Sequence, residues 1–371
     1  MTAGPTEVRE NVLNARSMPF TNPDLDLDFY DYYKETCELF SKAVNTENEA
    51  FILGGEGILG LEAACASLTE PGDRVLVIDN GIFGKGFTDF VKMYGGEAVL
   101  FTLDYHKEID IALLEEFLEK DHDFKYATVI HCDTPSGVLN DIIEISNLLH
   151  KYNILTVADS VAASFGVPLD LSKGHIDILC GGSQKALSAP PGLTIVWVSD
   201  DAFKAMENRK TPIAGFYANI LEMKNYYKDK WFPYTMPISD IYGLKAAMDN
   251  IAADKDLIKR HARIANATRK AIEAFGLKLH LESGFSDTVT VFDVPEGMTA
   301  DDILERMREK HGIMLAGSFG ELAGKVIRIG HMGASANVGD MLEVMSGLEE
   351  TLRYLGWKSE NSLLGVFHTE L

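Results

Sequence analysis

Along the first two-thirds of the chain, short continuous apolar runs alternate with longer stretches in which apolar residues recur at helical spacing. Short apolar runs predict buried strands, and they lie at Ala50–Leu53, Arg74–Ile78, Glu97–Thr102, Tyr126–His131, Ile154–Ala158, Ile176–Cys180 and Thr194–Val198. Apolar residues at helical spacing predict helices, at Phe29–Asn45, Gly54–Leu68, Gly84–Met93, Asp110–Glu119 and Asp141–His150. Alternating strands and helices predict an α/β fold with a mainly parallel seven-stranded sheet covered by helices on both faces.

The pattern changes at about Leu244, from where helical spacing continues without a break to Phe275. Beyond this long helix the chain predicts a small α+β domain, with elements at Lys278–Glu282, Thr288–Asp293, Ala300–Lys310, Val326–Gly330 and Val338–Leu355. No Pro-, Gly- or Ser-rich linker separates the two parts, so the domain boundary is expected inside the long helix. We therefore predict an N-terminal segment (1–20), a large domain (21–250) and a small C-terminal domain (251–371).

Composition and charge exclude several classes of function. The chain has 371 residues, of which 46% are apolar, and this is enough to bury a core without disulfides or metals. Its formal charge of −22 repels nucleic-acid backbones and anionic lipid surfaces. Because the chain also lacks an apolar run of membrane-spanning length and an apolar signal core, we expect a cytoplasmic protein with neither nucleic-acid nor membrane partners. The four cysteines have no metal-site spacing and are expected to be buried thiols, at Cys37, Cys65, Cys132 and Cys180.

Gly55, Gly57 and Gly60 form a G-x-G-x-x-G loop between the first strand and the helix that follows it. Asp79 ends the next strand, so the segment matches the dinucleotide-binding fingerprint. Free N–H groups and the positive end of a helix attract a phosphate group whatever molecule carries it. The loop alone therefore leaves open an NAD-dependent oxidoreductase, a different phosphate-bearing ligand, and glycines that serve only helix–strand packing.

A carboxylate and a lysine follow two further strands. Asp159 ends the strand Ile154–Ala158, and Lys185 stands in the irregular segment GGSQKALSAPPG after the strand Ile176–Cys180. Ligands bind at the carboxyl ends of parallel strands, so the acid, the amine and the glycine loop are expected to meet in one crevice. Each residue also has an ordinary alternative, because Asp159 could cap a helix and a single lysine is usually a surface charge.

Six segments together carry a family resemblance, TAGPTEV, GGEGILGLEAA, DNGIFG, VADSVAA, GGSQKALSAPPG and VIRIGHMG. Over nearly the whole chain they resemble class V pyridoxal-phosphate-dependent aminotransferases of fold type I, in particular alanine–glyoxylate and serine–pyruvate aminotransferases. The resemblance implies pyridoxal 5′-phosphate as cofactor and a homodimer with shared active sites. It implies transfer of an amino group from a small amino acid, such as alanine or serine, to a 2-oxo acid, such as glyoxylate or pyruvate.

Several alternatives stay open beside this interpretation. Within class V they are a ureidoglycine-type aminotransferase, a lyase or a desulfurase, although desulfurases differ after the arginine of RIGHMG and carry a late cysteine that this chain lacks. Outside the class they are the NAD-dependent oxidoreductase and a non-enzymatic scaffold.

The resemblance assigns roles around the cofactor ring. Lys185 would form the Schiff base with the cofactor aldehyde and then move a proton, and Asp159 would hold the protonated pyridine nitrogen. Phe83 would stack on the ring face, Thr134 would lie near the phenolic oxygen, and Val161 is a further expected contact of the cofactor.

The phosphate is expected to bind to two loops, whose candidate residues are Gly55, Gly57, Ile58, Ser183 and Gln184. Glu56 belongs to the same loop but stands where relatives carry serine or threonine. Its carboxylate would repel a phosphate dianion at close range. We therefore expect it to turn away or to pair with a cation.

Two further positions are matched to the phosphate and to the substrate. Thr235 in YTMP matches a residue that reaches the phosphate in the partner subunit, whereas Phe232 replaces a tyrosine with the same task. Arg328 lies inside the apolar run VIRI, where a charge needs an anionic partner. The resemblance implies the α-carboxylate of the substrate, bound by two hydrogen bonds, and a structural salt bridge is the alternative. His131 and His331 are expected to be structural.

Overall fold

The computed structural model describes residues 1–371, and its strands alternate with helices as the apolar pattern predicts. The strands are β1 (Glu49–Gly54), β2 (Arg74–Asp79), β3 (Glu97–Thr102), β4 (Tyr126–Ile130), β5 (Cys132–Asp133), β6 (Val138–Leu139), β7 (Leu155–Asp159), β8 (Ile178–Gly182), β9 (Leu193–Val198), β10 (Val289–Asp293) and β11 (Val326–Gly330). The helices are α1 (Glu10–Arg16), α2 (Leu27–Ala43), α3 (Gly57–Leu68), α4 (Ile82–Met93), α5 (Ile111–Lys120), α6 (Ile142–Lys151), α7 (Asp200–Glu207), α8 (Tyr226–Asp229), α9 (Ile238–Ala253), α10 (Leu257–Ala274), α11 (Ala300–His311), α12 (Val338–Tyr354) and α13 (Leu363–Glu370).

Seven strands form the central sheet, in the order β1–β9–β8–β7–β4–β2–β3. All neighbours run parallel except β9, which is antiparallel to both β1 and β8. Strands β4 and β9 are buried along their whole length, as expected when helices cover both faces of a sheet. The predicted α/β fold with a mainly parallel seven-stranded sheet is therefore confirmed.

A second apolar core lies in the C-terminal part of the chain. There β10 and β11 pair antiparallel, and Phe292 and Ile327 of these strands pack with residues of the surrounding helices. The last helix, α13, buries Leu363 and Phe367 in this core and so docks on its own subunit. The domain boundaries drawn after residues 20 and 250 stay predictions.

Two details of the predicted elements are wrong. The continuous helix over Leu244–Phe275 is two helices, α9 and α10, which are separated at Asp254. The side chain of Asp254 accepts hydrogen bonds from the Asp256 N–H at 3.2 Å and from Arg260, which competes with helical hydrogen bonding. The element predicted at Lys278–Glu282 contributes only an isolated bridge to β10, between Leu279 and Phe292.

Two expectations about the whole chain can be compared with the structure. All four cysteines are buried free thiols, as predicted. None of the helices combines the length and the apolar character that crossing a bilayer would require.

Candidate active site

A cavity of about 120 Å³ lies at the carboxyl edge of the central sheet. Its lining residues are Glu56, Gly57, Ile58, Leu61, Phe83, Cys132, Thr134, Asp159, Val161, Ala162, Gln184 and Lys185. Nine of these residues are sequence-predicted site residues, whereas Leu61, Cys132 and Ala162 are not. The glycine loop, the carboxylate and the lysine therefore meet in one crevice, because β1, β7 and β8 end at the same edge of the sheet.

Lys185 reaches this cavity from the loop that follows β8. Its Nζ donates a hydrogen bond to the Ala3 carbonyl oxygen at 2.5 Å. Burial lowers the pKa of this lysine, while the nearby Cys132 and Asp159 oppose the shift. The neutral amine, which is the form that attacks a carbonyl, is therefore populated at a lower pH than in an exposed lysine.

Asp159 is the last residue of β7 and is 5% exposed. Its Oδ1 accepts a hydrogen bond from the Val161 N–H at 2.9 Å, and its Oδ2 has no hydrogen-bond partner within the protein. Burial raises the pKa of Asp159 to about 7, although the Lys185 charge works in the opposite direction. A buried carboxyl group with one free oxygen is suited to a cationic partner such as a protonated ring nitrogen.

Phe83 is positioned by a residue that the sequence analysis missed. The Phe83 N–H donates to Asp133 Oδ1 at 2.9 Å, and Asp133 Oδ2 accepts from the Ser136 hydroxyl at 2.9 Å. The ring of Phe83 meets Phe319 edge to face, with ring centres 5.6 Å apart. The only available signal was a carboxylate immediately before Thr134 in the segment HCDTPSG.

Arg328 has no acidic partner within ion-pair distance, so the alternative of a structural salt bridge is wrong. Its Nε donates to the Gly317 carbonyl at 2.6 Å and its Nη1 to the Thr134 carbonyl at 3.3 Å. Burial lowers the pKa of this arginine, and the Asp133 charge opposes the shift. A guanidinium has five N–H donors, so several remain for an anion.

Glu56 neither turns away from the loop nor pairs with a cation, so both expectations about it are wrong. Its Oε1 accepts the Ile58 N–H at 3.2 Å, which makes it the N-cap of α3. Its Oε2 accepts the Gln184 side-chain amide at 2.8 Å. The carboxylate therefore occupies two of the donors that were expected to bind a phosphate.

Ser183 and Gly55, which were also expected to bind the phosphate, lie outside the cavity lining. The Ser183 hydroxyl donates to the Pro190 carbonyl at 2.7 Å, and the Gly55 N–H donates to the Gly192 carbonyl at 2.8 Å. Gly57 does line the cavity and also serves packing, because a Cβ at this position would lie 2.7 Å from Val161.

The site thus fits one half of pyridoxal 5′-phosphate, the cofactor that the resemblance implies. For the ring it offers an amine, a buried carboxylate and apolar contacts, from Lys185, Asp159, Phe83 and Val161. For the phosphate it offers the Glu56 carboxylate, the Gln184 Oε1 atom, which is buried without a hydrogen-bond partner, and the one unpartnered N–H of Gly57. The first two are acceptors, and a phosphate dianion needs several donors. The residues present do not fit the phosphate.

Thr235 and Phe232 do not line the cavity of their own chain. Thr235 is exposed and lies 3.4 Å from Asp24, whereas Phe232 is buried and stacks on Tyr30 with ring centres 4.6 Å apart. A contribution of Thr235 to a second subunit stays a prediction.

His131, His331 and Asp79 are buried and form hydrogen bonds within the protein. His131 bonds to the Ser160 hydroxyl and His331 to the Thr290 hydroxyl, each at 2.8 Å. Burial lowers the pKa of His131 to about 4, so this imidazole is neutral. Asp79 accepts hydrogen bonds from Thr102 and Tyr105, which leaves no free carboxylate for the ribose of a dinucleotide.

Comparisons with known proteins add to this geometry. The family described as aminotransferase class-V matches residues 6–331. An uncharacterised aminotransferase of Methanocaldococcus jannaschii is 35% identical over 98% of this chain and 94% of its own length. Serine–glyoxylate aminotransferase of Arabidopsis thaliana is 30% identical over 95% of this chain and 90% of its own. The crystal structure of pyridoxamine–pyruvate aminotransferase from Mesorhizobium loti superposes with a TM-score of 0.94 at 31% identity, covering 100% of this chain and 97% of that chain.

Proposed function

Since the chain belongs to the class-V aminotransferase family, we propose that it moves an amino group from a small amino acid of the alanine or serine type to a 2-oxo acid of the glyoxylate or pyruvate type. The family implies pyridoxal 5′-phosphate as the cofactor. The observation that carries the proposal is that the Lys185 amine and the buried Asp159 carboxylate line one cavity at the carboxyl edge of the sheet.

Different residues of the chain would have different roles around the pyridoxal ring. A pyridoxal ring supplies an aldehyde that bonds to amines and an electron sink for the charge released at the substrate Cα. Lys185 Nζ is the one amine in the cavity, and it can take a proton from the Cα and return it. Asp159 Oδ2 can hold a proton on the ring nitrogen, and Phe83 and Val161 can hold the ring plane.

Arg328 is suited to the carboxylate of the substrate. It carries free N–H donors and no acidic partner, and its Nη1 bonds to the carbonyl of Thr134, which lines the cavity. An amino acid and a 2-oxo acid share an α-carboxylate, so one guanidinium can serve both halves of the exchange.

We further propose a homodimer with shared sites. Thr235 is exposed and lies outside the cavity of its own chain, as a residue that contributes to a second copy must.

A second candidate donor is pyridoxamine, which appears in the name of the Mesorhizobium loti enzyme. The observation that favours it is the Glu56 carboxylate in the place expected for a phosphate, because pyridoxamine has none.

Trapping of the ring on the lysine tests the proposal. Protein incubated with pyridoxal 5′-phosphate or with pyridoxal is reduced with borohydride and digested, and the labelled peptide is identified by mass spectrometry. We expect the label on Lys185, none in Lys185→Ala, and full labelling in the control Lys204→Ala, which removes an exposed lysine. A screen of alanine, serine and pyridoxamine against glyoxylate and pyruvate then identifies the substrates. Absence of label on Lys185 with both compounds would refute the proposal.

A further inference from the structure

We propose that Glu56 makes the site selective for the unphosphorylated ring, so that pyridoxal and pyridoxamine bind through a free 5′-hydroxymethyl group and the 5′-phosphate form binds more weakly. The proposal rests on the proposed function, because it concerns the ring that Lys185 would bind.

Of the phosphate donors expected in the two loops, only the Gly57 N–H has no acceptor, and the others are already used. The Ile58 N–H and the Gln184 amide both donate to Glu56, at 3.2 and 2.8 Å. The Ser183 hydroxyl donates to a backbone carbonyl instead. A phosphate could gain the first two donors only by displacing the carboxylate, which would leave the N-terminus of α3 without its cap.

This end of the cavity presents mainly hydrogen-bond acceptors. Glu56 contributes two carboxylate oxygens, and Gln184 Oε1 is buried with no hydrogen-bond partner. A phosphate dianion can only accept hydrogen bonds here, whereas a hydroxymethyl group can donate its O–H. Burying a polar atom without a partner costs free energy, so a hydroxyl donor suits this end better than a phosphate.

The charge of Glu56 also disfavours a phosphate. Glu56 forms no ion pair, and the positive end of α3 already faces its carboxylate. Neither of the two cations near the cavity pairs with Glu56, since Lys185 bonds to Ala3 and Arg328 bonds to Gly317 and Thr134. The Glu56 charge is therefore not neutralised by an ion pair, and its repulsion of a phosphate at contact distance corresponds to roughly tenfold or more in affinity.

This selectivity would make the ring compound a substrate that is released, in place of a permanently bound cofactor. Without a phosphate to anchor it, the ring is held covalently only while it is bonded to Lys185, and otherwise by Asp159 and packing. It can then exchange with solvent, so pyridoxamine itself can serve as the amino donor. The exchange is balanced without another reactant: the C4′ amine of pyridoxamine becomes the aldehyde of pyridoxal, and the keto group of a 2-oxo acid becomes the α-amine of an amino acid.

Binding of the two forms of the ring tests the proposal. Pyridoxal and pyridoxal 5′-phosphate are titrated separately into wild type, Glu56→Ser, Glu56→Gln and the control Glu47→Ser, with the absorbance of the lysine-bound ring as readout. Serine is a good N-cap, so Glu56→Ser keeps a cap on α3, and Glu56→Gln removes the charge at nearly constant size. Glu47 is exposed and lies outside the cavity.

We expect the wild type and Glu47→Ser to bind pyridoxal about tenfold or more tightly than pyridoxal 5′-phosphate, and both Glu56 variants to tighten binding of the phosphate form by about tenfold. A wild type that prefers pyridoxal 5′-phosphate, or a preference that neither Glu56 variant changes, would overturn the selectivity while leaving the proposed function intact. If neither form of the ring bonds to Lys185 in any of the proteins, the proposed function itself fails.

Discussion

The Lys185 amine donates its hydrogen bond to the backbone carbonyl of Ala3, at 2.5 Å, and not to a carboxylate. The N-terminal segment is fixed at this place by two more bonds, from the Gly330 N–H to the Met1 carbonyl and from the Thr6 N–H to the Gln184 carbonyl. The segment thus joins β11 to the lysine loop and covers the reactive amine. A neutral acceptor orients the amine without the charge that would stabilise its protonated form.

Gly4 provides the first prediction, because it is the residue that lets the N-terminal segment approach the lysine. A Cβ on Gly4 would lie 2.5 Å from Lys185 Cδ, and its φ of +100° disfavours any other residue. We expect Gly4→Ala to slow bonding of pyridoxal to Lys185 by at least about tenfold, because the side chain of the lysine must move. Stopped-flow absorbance after mixing with pyridoxal measures this rate.

Gly72→Ala is the matched control. Gly72 has a similar φ of +87°, but a Cβ there meets nothing within 4 Å. Both variants should lose about 1–2 kcal/mol of stability from the backbone alone, and only Gly4→Ala should lose rate. Equal rates in the two variants would show that the contact with Lys185 does not matter.

Asp159 provides a prediction on pH dependence in protein freed of the ring. Its pKa is raised from 3.8 to about 7 by burial, so the folded protein keeps the proton that the unfolded chain releases. The stability that this proton supplies is complete below pH 3.8 and is lost as the pH rises through about 7. Urea unfolding should therefore show the wild type losing about 3 kcal/mol between about pH 5 and pH 8 relative to Asp159→Asn.

The exposed Asp123 provides the control for this experiment, because Asp123→Asn should keep the wild-type slope. A difference between wild type and Asp159→Asn that does not change with pH would contradict the raised pKa of Asp159.

The carboxylate of Asp133 provides a prediction on the position of Phe83. It is fully buried and binds the Phe83 N–H and both donors of Ser136. Asp133→Ala should lower the free energy of unfolding by about 3 kcal/mol, because buried donors lose their partner. Asp133→Asn keeps an acceptor for Phe83 and should lose less than half as much. Chemical denaturation measures both, and equal losses would place the effect in packing rather than in these bonds.

The sequence could predict which residues of the site follow the ends of strands. Apolar runs locate β7 and β8, and parallel neighbours share an edge, so Asp159 and Lys185 had to be close. The hydrogen-bond partners of these side chains could not be predicted from the sequence, because they depend on the rotamers of residues that are distant in sequence. Glu56 meets Gln184 across 128 positions, and Lys185 meets Ala3 across 182.

The break between α9 and α10 was missed for a local reason. The apolar spacing continues through Asp254, whereas the side chain of Asp254 accepts hydrogen bonds from the Asp256 N–H and from Arg260, which compete with the helical pattern.

Arg328 provides the prediction that separates the two candidate donors. Arg328→Lys keeps the charge but loses the paired N–H donors, so the KM of the 2-oxo acid should rise about 10- to 100-fold with a smaller change in kcat. With alanine or serine as donor, the KM of the donor should rise similarly, because both substrates carry an α-carboxylate. With pyridoxamine as donor only the KM of the 2-oxo acid should rise, because pyridoxamine has no carboxylate. Arg308→Lys, at an exposed arginine, is the control and should change neither the KM of the donor nor the KM of the 2-oxo acid. Steady-state kinetics with both substrates varied measures these KM values, and an unchanged KM for the 2-oxo acid would remove Arg328 from the substrate site.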